Sequence, residues 1–107
     1  MLGARQYKQE FTSDSNTSAK CRITMGASSS PSVLDIIVED NWPHNSRRYV
    51  LSTRNSNSLC ELVYGTEATG QSHTLNGLVL DITMGSYSYV YVRKTIGSNT
   101  YTVTDAS

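Results

Sequence analysis

The residues best suited to chemistry lie in one short run, Asp40-Asn41-Trp42-Pro43-His44-Asn45-Ser46, which sets the only tryptophan among carboxylate, amide and imidazole groups. A large ring is least needed for a core in so polar a stretch. Small-ligand sites combine an aromatic plate with a few placed hydrogen-bonding groups. A sugar ring fits such a set, because its C–H groups lie on the plate while its hydroxyls bond Asp, Asn and backbone. Asp40, Asn41, Trp42, His44 and Asn45 are therefore the expected ligand-binding residues. The competing expectation is that Trp42 folds back to plug the open end of the domain.

Other constellations are weaker. Asp35, Glu39 and Asp40, with Asn41 beside them, offer the oxygen ligands that calcium prefers, although no EF-hand spacing is present. A zinc site would have to gather Cys21, His44, Cys60 and His73 from four separate elements without the short spacings that make such sites. A Ser-His-Asp arrangement has two histidines and many serines to draw on, but no Gly-x-Ser-x-Gly elbow appears, so the expectation is a protein that is not an enzyme. Cys21 and Cys60 each sit in a strand-like stretch and are expected either to form one disulfide across a sandwich or to remain free core thiols. Asn16-Thr17-Ser18 fits the N-glycosylation acceptor pattern.

The elements that position these residues read as strands throughout. Apolar and polar residues alternate with period two, and β-branched and aromatic types recur between turn residues. In Tyr87-Ser88-Tyr89-Val90-Tyr91-Val92-Arg93 the alternation puts Tyr87, Tyr89 and Tyr91 on one face. That stripe either packs against neighbouring strands or forms a protein-binding surface. Asn76-Gly77 predicts a hairpin with a type I′ turn between the strands 72–75 and 78–82. Gly97-Ser98-Asn99 plays a similar part, so the last third reads as a meander of consecutive antiparallel strands, while the 40–46 run reads as a polar loop after a strand over 33–38. The whole predicts about eight or nine short strands, the number that closes two packed sheets or a barrel. The expected fold is an all-β, antiparallel, jelly-roll-like β-sandwich over residues 1–107 as one domain, with a small barrel as the second choice.

Composition excludes several partners. The chain has 107 residues, nine basic and nine acidic, and the basic ones are scattered, with only Arg47-Arg48 and Arg93-Lys94 adjacent. Those two pairs read as solvated strand-end charges. A nucleic-acid surface needs a basic stripe that neutralises several phosphates, so no nucleic acid is expected. No apolar run approaches the ~18 residues of a membrane span, and residues 1–10 lack the apolar region of a signal peptide. A secreted or cell-surface setting suits the polar, Ser/Thr-rich composition. What remains is a non-enzymatic binding module of lectin type, with a glycan or glycoprotein as partner and homo-oligomers supplying multivalency. A structural or assembly subunit, such as a viral coat or surface protein, is the alternative; a protease inhibitor or membrane-active toxin is the third.

Overall fold

The computed structural model describes residues 6–13, 18–97 and 99–107. Nine strands run through them: β1 (Lys8–Thr12), β2 (Ala19–Met25), β3 (Ser32–Asn41), β4 (His44–Arg54), β5 (Asn57–Tyr64), β6 (Ser72–Asn76), β7 (Val79–Met84), β8 (Tyr89–Ile96) and β9 (Tyr101–Asp105). They form a five-stranded sheet in the order β1-β8-β3-β4-β5 and a four-stranded sheet in the order β6-β7-β2-β9, with all pairings antiparallel. The two sheets pack as a β-sandwich and not as a closed barrel. Each sheet joins strands distant in the chain: β8 lies between β1 and β3, and β2 lies between β7 and β9.

Period-two patterning explains the packing. Leu34, Ile36 and Val38 of β3, Tyr49 and Leu51 of β4, and Val90 and Val92 of β8 all point inward from one sheet. Cys21, Ile23 and Met25 of β2 and Leu80, Ile82 and Met84 of β7 meet them from the other. Each fully buried Leu, Ile or Val contributes about 1.5–3 kcal/mol over the exposed state, and this continuous apolar layer holds the sheets together.

Three local expectations are corrected. The 40–46 run is not a loop: β3 and β4 extend through it to the pair Asn41 and His44, leaving a two-residue turn of Trp42 and Pro43 joined by a cis peptide bond. The β6–β7 hairpin forms, but Asn76 pairs with Val79, so its turn residues are Gly77 and Leu78. Gly77 has φ 59° and Leu78 is not left-handed, which suits a type II′ turn with glycine first and not type I′. The meander of the last third stops at β7. β8 crosses to the larger sheet to pair with β1 and β3, and β9 returns to pair with β2, so β8 and β9 lie in different sheets and do not form a hairpin. The acceptor pattern at Asn16 lies outside the described residues.

Candidate functional site

The long β3–β4 hairpin carries the chemistry-bearing run to one end of the sandwich. Alternation along β3 sends Asp40 inward with Ile36 and Val38, and Glu39 outward. Trp42 stands at the crown of the turn, 75% exposed. That exposure rules out the plugging role and leaves the ring available as a plate. The residues flanking the turn, Asn41 and His44, line an open hollow of about 250 Å3 together with Glu39, Asp40 and Tyr89. Ser46 Oγ donates to Glu39 Oε2 and fixes that carboxylate.

A second loop completes this end. Trp42 and Ser86 form an isolated antiparallel bridge, Trp42 N donating to Ser86 O at 3.2 Å and Ser86 N to Trp42 O at 2.9 Å. A Cβ on Gly85 would sit 2.3 Å from Trp42 O, so the approach of the two loops requires glycine there. Two residues after Gly85, Tyr87 has φ 53°. A bulky side chain in the left-handed region is a genuine outlier and costs about 1–2 kcal/mol. Tyr87 is 42% exposed and Tyr89 41% exposed. Trp42, Tyr87 and Tyr89 thus lie on two adjoining segments at the same end.

Behind the surface runs a buried polar network. Arg47 is wholly buried and Asp40 nearly so. Arg47 Nη2 lies 3.0 Å from Asp40 Oδ2, and Arg47 Nε donates to the same oxygen at 3.2 Å. Gly85 N donates to Asp40 Oδ1 at 2.9 Å; Ser88 Oγ stands 3.0 Å from that oxygen and 2.7 Å from Gly85 O. On its other side Arg47 Nη1 donates to Tyr49 OH at 2.8 Å, and Tyr49 OH donates to Glu67 Oε2 at 2.7 Å. His73 Nδ1 is 2.5 Å from the same Glu67 oxygen, and its ring centroid is 4.9 Å from that of Tyr49. Burial pushes the Glu67 carboxyl up, but the His73 and Tyr49 hydrogen bonds and the charges of His73 and Arg47 outweigh it and hold the group below its usual value. Burial, then the Glu67 hydrogen bond, pushes the Tyr49 hydroxyl well above the ordinary range, so it stays protonated as a donor. Such a network satisfies buried charge and locks rotamers. His73 is engaged by Glu67 and not by a serine hydroxyl.

The expected ligand-binding set therefore divides. Asn41, Trp42 and His44 are exposed at the tip. Asp40 faces the core as a strut under the hollow. Asn45 pairs with Asp40 across the hairpin, and its amide bonds Thr66 O at 2.6 Å and Gln71 Oε1 at 2.5 Å, tying down the 65–71 loop. The expected calcium ligands do not converge. Asp35 and Glu39 point outward four residues apart, about 13 Å along the strand, while Asp40 points inward. Asp35 instead accepts from Arg93 Nη2 at 2.8 Å. No group of three or more His, Cys, Asp or Glu residues fit to hold a metal ion occurs among the described residues. Cys21 and Cys60 are free thiols, on β2 and β5 of different sheets, and the disulfide does not form. Arg47 was expected on the surface together with Arg48. Strand parity was the signal that could have placed it: counting back from Leu51 and Tyr49 puts Arg47 inside and Arg48 outside. Glu67, Ser88 and the backbone of Tyr87 had no comparable mark.

The chain matches no family model, no curated protein and no solved structure in comparisons with known proteins.

Proposed function

We propose that this protein is a non-enzymatic carbohydrate-binding module of lectin type whose site is the tip of the β3–β4 hairpin. The observation that carries the reading is the exposed Trp42 at the crown of a turn whose flanking residues Asn41 and His44, with Glu39 and Tyr89, line a hollow. An aromatic plate at low conformational cost, ringed by a few directional hydrogen-bonding groups, is the chemistry a saccharide needs. The Asp40–Arg47 network gives the tip a rigid base, and rigid support preserves affinity by limiting the ordering cost of binding. A glycan-array screen with and without calcium tests the reading. Specific binding, independent of calcium and lost in Trp42→Ala, supports it; a blank array overturns it.

A second reading, a subunit of a larger assembly, is favoured by one observation. Edge strand β5 exposes Leu59, Val63 and Tyr64 on the outside of the larger sheet. Unpaired edges and exposed apolar groups drive self-association. Light scattering separates the two, since large defined particles without glycan binding support assembly.

A further inference from the structure

Tyr87 has a side chain that neither its backbone nor the core calls for. The turn Gly85–Ser88 needs a left-handed residue at its third position, and glycine or asparagine adopts that conformation with little or no penalty. Tyrosine does not. Core burial does not explain the choice, since the flanking Ser86 and Ser88 are buried while Tyr87 stays 42% exposed and lies outside the apolar core. The strain is held in place from both sides: Ser86 is bridged to Trp42, and Ser88 lies against Asp40 and the Gly85 carbonyl. Strain kept by over-determined surroundings, with the side chain facing out, is a mark of a functional position. We infer that Tyr87 is a second stacking ring of the Trp42 site and that the ligand is an uncharged saccharide.

This rests on the carbohydrate-binding reading and deepens it. The choice of ligand class follows from charge. Glu39 brings a carboxylate to the hollow, Asp40 beneath it is neutralised by Arg47, and no Lys or Arg is among the residues lining it. An acidic sugar would meet like charge and find no counter-ion there.

The test uses the full chain and a panel of immobilised neutral, uronic-acid, sialylated and sulfated glycans, with thermal unfolding measured without glycan. Tyr87→Gly removes the ring and relieves the strain, so its Tm is expected to rise by roughly 4 °C or more while binding to neutral glycans falls about tenfold. Tyr87→Phe keeps the ring and should bind within about threefold of wild type. If Trp42→Ala abolishes binding and Tyr87→Gly does not, the site stands and the role of Tyr87 falls. A lower Tm in Tyr87→Gly means the ring is a packing element, and this also overturns the inference. Preference for sialylated or sulfated glycans overturns the ligand class, and a blank panel overturns the inference and the site together.

Discussion

Asp40 and Arg47 are two residues whose removal should be felt far beyond their own contacts. Asp40 accepts from Gly85, Arg47 and Ser88 at once, so it ties the β3–β4 hairpin to the loop that carries Tyr87. Arg47→Ala leaves that carboxylate buried and short of its main counter-charge, a change that costs about 3–5 kcal/mol. The pair Asp40→Asn with Arg47→Met removes both charges and should cost clearly less than the sum of the single changes. Urea unfolding of the four proteins as a double-mutant cycle measures this; additive losses would show that the two side chains act separately. The thiols show the opposite behaviour, inertness. Burial, then the charge of Glu67, pushes the Cys60 thiol up to about 11, and burial, then Asp81, pushes Cys21 to about 12. A thiol near 11 leaves on the order of one thiolate in ten thousand at pH 7. Iodoacetamide should label the native protein far more slowly than the urea-unfolded chain, and equal rates would contradict the burial of Cys21 and the partial burial of Cys60.

At the scale of elements, the loop between β5 and β6 is held by polar contacts rather than by core packing. Asn45 bonds Thr66 and Gln71, Ala68 N donates to Gln71 Oε1 at 3.0 Å, and Glu67 receives Tyr49 and His73. Because the Glu67 value is depressed in the folded state, its contribution is complete above the ordinary carboxylate value of 4.5 and is lost as pH falls through the lowered folded value. The urea midpoint of wild type should therefore drop below about pH 4.5 by more than that of Glu67→Gln, which should cost about 1–2 kcal/mol at pH 7. Parallel acid profiles in the two proteins would remove Glu67 from the account. How much of this could be read beforehand depends on the kind of signal. Alternation along β3, β4, β7 and β8 is a local property, so strands, inward residues and the β6–β7 hairpin were legible. Sheet membership is not local: nothing in the residues of β8 and β9 says that they part, because their paired residues in β3 and β2 lie fifty or more positions earlier. The tip was located by composition, but Pro43 and its polar neighbours concealed that strand parity continues through Asp40 and Arg47. Tyr87 is illegible for a different reason, since its backbone conformation is one that its residue type disfavours.

Considered as one body, the sandwich leaves the two edges of its larger sheet, β1 and β5, unequally protected. Near β1 the sheets are tied by Tyr101 OH donating to Glu10 Oε2 at 2.8 Å. At the opposite edge β5 presents Leu59, Val63 and Tyr64 to solvent, with Glu61 as the acidic residue between them. Two copies related by a two-fold axis can pair these edges in antiparallel fashion, burying the same residues from each side. Such a dimer holds two hairpin tips on one particle, and linked sites raise avidity by about 10²–10⁴ with no change at either site. The expected result in multi-angle light scattering is a mass rising with concentration toward twice the 11.8 kDa chain. Val63→Lys places a charge on the edge, the device by which natural sheets resist pairing, and should hold the protein at the monomer mass. On a dense glycan surface that variant should lose apparent affinity, while its affinity for the same glycan free in solution stays unchanged. A wild-type protein that remains monomeric at high concentration would show that β5 is not an interface, and would leave any glycan binding to the strength of a single tip.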